Sequence, residues 1–370
     1  MGRFGFFFRA RPTCLQDLLT RADEEVVKTS DEEKRARAQR RADNRARGET
    51  RDYPRVRARR VVPGARVKIT KACHEHAFFF ALAPPKNPTD ERLKNVTPEE
   101  IRNFIGYCYG ISMLGLGIQL HAAVMMSNHH HTDITDTRGE YPLFKKRLHS
   151  HLGKGTNALH NRFGKVWEDK KCDTVVVDEE CLDDLVYTLT NPVASALVKW
   201  SELWPSFTTA GWKVGEVHKF KRPRWYFDED GDLPDEVEVK IEMPKVFEGK
   251  LTPAEYDEIL ARRVRAESLT LHDELKAAGR RRFLGVKKVI AQRWGRAHES
   301  KVKRFTVIPT ISGRRSDPRW HAALEQNEQW EREYAAARER FLAGDEDVVF
   351  PYGTYWLPRY AGAKVADAPS

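Results

Sequence analysis

Residues 118–135 read IQLHAAVMMSNHHHTDIT. The first half, Ile118–Met126, is an apolar run of strand length. The second, Met126–Thr132 (MSNHHHT), reads as extended chain, on which alternate side chains share a face. His129 and His131 therefore project together, and two imidazoles on one strand face can hold one metal ion. His130 points to the opposite face, where its polar ring needs a partner.

On the N-terminal side, RVKIT (66–70) and HAFFFALAP (76–84) have the alternation or apolar clustering of strands. The stretch Thr97–Leu114 reads as a helix: Thr97 can cap it, Pro98 suits its first position, and Ile101, Phe104, Ile105 and Cys108 recur at helical spacing. On the C-terminal side, residues 143–165 give a helix with an apolar stripe (Leu143, Phe144, Leu148, Leu152) and a basic opposite face. CDTVVV (172–177) follows as a short strand. A helix is then expected from a cap at Asp178, through Cys181, Leu182, Leu185 and Val186, to Asn191-Pro192. Tyr187 and Asn191, four residues apart, are neighbours on its surface, although Pro192 biases Asn191 away from helical geometry. Strands alternating with helices predict the α+β class, an antiparallel or mixed sheet flanked by helices.

Two further histidine pairs compete for a metal. His149 and His151 lie in a helical pattern, where residues two apart diverge. His74 and His76 could share a strand face, but no nucleophile accompanies them, and they stay a minor alternative.

The order PGARVKIT, VMMSNHHHTDI, FGKVWEDKKCDTVVV, VYTLTNPVASALV and WPSF resembles the REP-associated tyrosine transposases, single-tyrosine members of the HUH endonuclease superfamily, over roughly Val61–Trp212. The resemblance implies an HUH-type core in which His129, His131 and Asn191 hold Mg2+ or Mn2+ and Tyr187 is the nucleophile. It implies cleavage and rejoining of single-stranded or hairpin DNA through a 5′-phosphotyrosine. Three positions depart from the family pattern: His130 stands where an apolar residue is usual, Ser127 where proline is, and Val186 where a basic residue is. A domesticated hairpin-binding protein that has lost cleavage is the rival reading, and a basic RNA-binding protein a third.

Composition agrees with a polyanionic partner. The 370 residues carry 64 Lys and Arg against 54 Asp and Glu, a net charge of +10, and the excess falls in runs. Expected DNA contacts near the centre are Lys145, Lys146, Arg147, Lys154, Arg162, Lys165, Lys170 and Lys171, with Trp167 as a base-stacking ring; a second cluster is Arg280, Arg281, Arg282, Lys287, Lys288 and Arg293. The length suggests more than one unit: a basic arm over 1–60, either a solvated tail or a loose phosphate contact; the core over 61–214; and a mostly helical basic region over 215–370. In that last region, helices are expected in TPAEYDEILARRVRAESLTLHDELKAA and RRRFLGVKKVIAQRWGR, and the aromatics of DVVFPYGTYWLPRY are expected to pack. Five dispersed cysteines without a Cys-x-x-Cys pair suggest a reduced, cytoplasmic protein. No organic cofactor or membrane segment is expected, and the oligomeric state stays open.

Overall fold

A computed structural model describes residues 58–85, 88, 90–169, 172–177, 182–228, 231–280, 282–295, 311–313 and 316–369. Most of the expected N-terminal arm, together with Lys170, Lys171, Asp178, Cys181 and Arg281, lies outside these residues.

The fold is α+β. Its centre is a five-stranded mixed sheet in the order β2-β3-β1-β4-β7, formed by β1 (Ala65–Ala72), β2 (Ile118–Met125), β3 (His129–Asp136), β4 (Asp173–Val176) and the two-residue β7 (Ile311–Ser312). The first four strands pair antiparallel, and β7 joins β4 in parallel. Between β2 and β3 the chain turns sharply, with Met126 N–H donating to His129 O at 2.8 Å. Ser127 and Asn128 thus form the turn of a hairpin rather than a continuation of strand, and the extended stretch begins at His129 itself.

Alternation along β1 and β3 sorts side chains to two faces. Val67, Ile69 and Ile134 turn toward α1 (Pro98–Met113) and α2 (Tyr141–Leu159), where they join Phe104, Ile105, Phe144, Leu148 and Leu152 in the main core. The expected capping box of α1 is present, Thr97 and Glu100 each satisfying the other's backbone N–H. A bulge between Leu120 and Ala122 shifts the β2 register. It leaves Leu120 and Ala123 in the main core, while Ala122 packs with α3 (Asp183–Ala194) on the opposite face.

Several expectations need correction. HAFFFALAP makes no strand: Phe79 and Phe80 are buried from a looped backbone, Phe80 ring-to-ring with Trp167 at 5.0 Å. His74–His76 form a short 3-10 turn in which Glu75 and His76 have φ of 54° and 53°, so they do not share a strand face. Helix α3 starts at Asp183 without a side-chain cap from Leu182 and continues through Pro192 to Ala194. The proline falls within the last turn, and the helix ends two residues beyond it.

Beyond Gly215 the chain does not leave the core. A hairpin of β5 (His218–Lys221) and β6 (Glu236–Val239) lies on α1, and Phe220 and Val237 occupy space opened by Gly106 and Gly110. A Cβ on those glycines would come within 2.2 and 2.3 Å of these two side chains. Trp225 and Phe227 are buried in the same cluster. Further on, α4 (Pro253–Ala277) forms as expected behind a Thr252–Glu255 capping box and packs on α3. The second expected basic helix shrinks to α5 (Val286–Ile290). A smaller cluster gathers Ala58, Trp330 and Tyr334 of α6 (Pro318–Leu342), and Val348 and Phe350 from the late aromatic stretch, which packs as expected. Among the described residues no helix is long and apolar enough to cross a membrane.

Candidate active site

Helix α3 lays one polar face on the sheet. Asp184, Tyr187, Thr188 and Asn191 recur at the three- and four-residue spacing that aligns side chains on a helix, and each meets a polar strand residue. Lys68 pairs with Asp184 at 2.9 Å, and its Nζ lies 4.4 Å from the centre of the Tyr187 ring. The Thr188 hydroxyl donates to Asp133 Oδ2 at 2.6 Å. These contacts fix the rotation of the helix and bring Tyr187 and Asn191 to His129 and His131.

His129 Nε2 lies 3.2 Å from Asn191 Oδ1, and Asn191 Nδ2 donates to His131 Nε2 at 3.1 Å. The two imidazoles stand nearly perpendicular, centroids 5.0 Å apart. The Tyr187 ring is 5.4 Å from that of His131, nearly perpendicular to it, one helical turn from Asn191. Two side chains of one strand therefore share the Asn191 amide, with the Tyr187 ring beside them. Tyr187 is 40% exposed while both histidines are buried, so the centre opens to solvent on the tyrosine side.

The far nitrogen of each histidine is also held: His129 Nδ1 faces Asn128 Oδ1 at 2.8 Å, and His131 Nδ1 faces Thr70 Oγ1 at 2.8 Å. Anchoring Nδ1 in this way orients an imidazole so that Nε2 can offer its lone pair. Burial, and then the neighbouring His129 and Lys68, push His131 well below the ordinary histidine range, leaving it neutral as ligation requires. With the Asn191 amide oxygen, the two Nε2 atoms make a donor set that fits a divalent cation. Among the described residues no group of three His, Cys, Asp or Glu is arranged to hold one.

Charges around the centre are coupled. Burial acts to lower Lys68, but Asp184 and Asp133 outweigh it and hold the ammonium above its usual pKa. Burial also raises Asp133, to about 6, against the pull of Lys68 and Arg66. Partial burial raises the Tyr187 phenol above its ordinary value, opposed by Lys68 and Asn191. Sequence reading missed Thr70, Lys68, Asp133, Asp184 and Thr188. Their signal was the alternating polar set Arg66, Lys68, Thr70 on one strand together with the polar 184/187/188/191 stripe on the helix.

His130 finds the partners its position demands. Fully buried on the other face, it contacts Thr132 Oγ1 at 3.0 Å and His149 Nε2 at 2.9 Å. His151, two residues along α2, goes instead to Phe227, so the helical pair diverges as its spacing predicts.

The expected DNA-contact residues divide. Trp167 is 7% exposed, stacks on Phe80 and donates its indole N–H to His149 O at 2.9 Å, so it cannot be a platform for a base. Lys145 turns inward to Asp173, which Arg59 also pairs, at 3.3 Å. Arg147 donates to Leu114 O at 2.9 Å, and Lys146 lies against Trp356 and Tyr360. Arg162 packs over Phe79, and Lys165 pairs with Asp169. Exposed to solvent are Lys154, Lys165, Arg280, Arg282, Lys287, Lys288 and Arg293. Of these, Lys287, Lys288 and Arg293 ride on a segment that reaches the active-site edge, where Ser127 Oγ donates to Gln292 Oε1 at 3.1 Å, two residues from His129.

No protein-family description and no curated protein matches the chain. A similar solved structure is described as a REP-associated tyrosine transposase bound to a REP hairpin; the two are 14% identical, the likeness covers 41% of this chain and 80% of that one, and the TM-score is 0.30. At that level of similarity, the functional reading rests on the side chains themselves.

Proposed function

We propose that the chain is a metal-dependent single-strand DNA endonuclease and strand-transferase that uses Tyr187 as nucleophile, with hairpin-forming DNA as its substrate. The supporting observation is that His129 Nε2 and His131 Nε2 both reach the Asn191 amide beside the ring of the part-exposed Tyr187. His129, His131 and Asn191 Oδ1 would hold Mg2+ or Mn2+, and the bound ion supplies charge neutralisation and polarisation of the scissile phosphate.

The rest of the chemistry belongs to the chain. Helix α3 holds the phenol where a phosphate at the His129–His131–Asn191 centre meets it, converting a collision into an oriented attack. A bond forms from Tyr187 Oη to phosphorus, the bond from phosphorus to the 3′ oxygen breaks, and the leaving strand takes a proton to end in a free 3′-OH. The tyrosine ester preserves the phosphodiester energy, so a 3′-OH can attack it and rejoin DNA without ATP. Lys68, held beside the ring by Asp184, favours the negative charge that develops on the phenol oxygen.

The product ends test this reading. A labelled single strand carrying a hairpin, incubated with protein and manganese, should yield a 3′ end that a polymerase extends and a 5′ end that a kinase cannot label, and EDTA should stop the reaction. A free 5′-phosphate would mean that water, not Tyr187, attacks. Binding of hairpins with no cleavage under any divalent metal would favour a binding protein.

A further inference from the structure

Sequence reading assigned base stacking to Trp167, which is buried. One aromatic ring near the basic surface is instead almost wholly in solvent: Phe163, 94% exposed, between Arg162 and Lys165. A lone exposed ring is ordinary, but this one sits on a braced loop. Arg162 N–H donates to Asn157 O at 2.9 Å, Asn157 Nδ2 to Gly164 O at 3.0 Å, and Arg162 NH2 to Lys165 O at 3.1 Å. Asn161 and Gly164 take left-handed backbone angles, φ 45° and 96°, that close the turn. The Arg162 guanidinium is seated 4.1 Å over the Phe79 ring. The backbone is thus fixed while the ring is held out.

The surroundings specify what such a ring can meet. Phe79 stacks with Trp294, and Trp294 stacks on His160 at 4.8 Å with an interplanar angle of 18°. Trp294 belongs to a strap whose start is tied to the end of α3, by Leu284 N–H to Ala196 O and Gly285 N–H to Leu197 O, both 2.9 Å. At Gln292 the strap passes the Ser127 turn that leads into His129. It therefore runs from the end of the tyrosine helix to the Phe163 loop and exposes Lys287, Lys288 and Arg293 along the way. Cations along a strap that leads to an exposed ring on a braced loop complement a single strand, whose phosphates are charged and whose bases have free faces; in a duplex those faces are covered.

We propose that Phe163 is a stacking post for a nucleobase of the single strand that enters the Tyr187 site, with the strap's lysines and Arg293 tracking its backbone. This rests on the nuclease reading above and adds a residue that discriminates single strand from duplex. The test is binding by fluorescence anisotropy of full-length wild type, Phe163→Ala and Phe163→Trp to a fluorescein-labelled single strand and to a duplex of equal length. Phe163→Ala should weaken single-strand binding roughly five- to 150-fold, Phe163→Trp should retain it, and duplex binding should be the same for all three. Abasic substitution along the oligonucleotide should reveal one position that matters to wild type and not to Phe163→Ala. Unchanged single-strand affinity in Phe163→Ala, with wild type still binding and cutting, would end the stacking proposal and leave the nuclease reading standing. Equal loss on single strand and duplex would also overturn it, because a phosphate contact makes no such distinction. If wild type bound no single strand at all, the nuclease reading and the stacking post would fall together.

Discussion

The two faces of β3 carry three consecutive histidines to opposite fates. Toward α3, His129 and His131 offer Nε2 to a shared amide beside an exposed phenol, with Nδ1 of each occupied by an oxygen. Toward α2, His130 spends its ring on Thr132 and His149 inside a closed core. Residue type is the same and burial is similar; only the strand's alternation separates the arrangement proposed as a metal centre from a packed one. The histidine that stands in an apolar slot is accommodated by a partner that the adjacent helix supplies.

The sharpest way to break this contrast is to remove one ring from each face. His131→Ala should lower cleavage by more than about 100-fold, with partial recovery at high metal concentration, because it deletes a direct donor. His130→Ala should leave metal affinity and cleavage within about tenfold of wild type and instead cost about 1–3 kcal/mol of stability, read from urea denaturation, because His149 and Thr132 lose a buried partner. Equal catalytic losses would erase the distinction between the faces. A smaller effect sharpens it. Thr70→Val removes the group holding His131 Nδ1, so metal affinity measured by calorimetry should fall about 10- to 100-fold with the fold intact; unchanged affinity would mean that Thr70 does not orient a ligand.

Those predictions depend on residues of uneven legibility. The α+β class, the capped helix α1, the projection of His129 with His131 and the neighbourhood of Tyr187 and Asn191 followed from local periodicity, which chain geometry converts directly into faces. What stayed hidden depended on tertiary partners. Lys68, Thr70, Asp133 and Thr188 look like ordinary polar strand and helix positions until β1 and α3 are packed together. Trp167 reads as a surface ring because basic residues surround it in sequence, yet Phe80 and His149 cover it. The docking of the β5–β6 hairpin was hidden because the glycines that admit it lie more than a hundred residues upstream, at Gly106 and Gly110.

One further effect is global rather than local to either face. Burial depresses His121 to about 3 and His160 to about 4, below the 6.5 or so expected of an unfolded histidine. The unfolded chain therefore binds more protons between those values, so the stability is complete above about pH 6.5 and is lost as pH falls toward the folded values. Each should cost roughly 2 kcal/mol between pH 7 and 5. Asp133, raised to about 6, works the other way, gaining roughly 1.4 kcal/mol over the same interval. The net expectation is a lower urea midpoint at pH 5, and a smaller acid loss in His160→Gln. A midpoint that does not fall would contradict neutral, buried histidines.

Covalency is the central claim, since a tyrosine nucleophile, unlike an activated water, leaves the protein attached to the DNA end. Wild type incubated with manganese and a labelled hairpin-bearing single strand should give a labelled band that survives denaturing electrophoresis and disappears on protease treatment. Tyr187→Phe, which removes only the attacking oxygen, should give neither band nor cleavage while keeping its fold and most of its DNA affinity. Cleavage by Tyr187→Phe at a rate comparable to wild type would contradict the account.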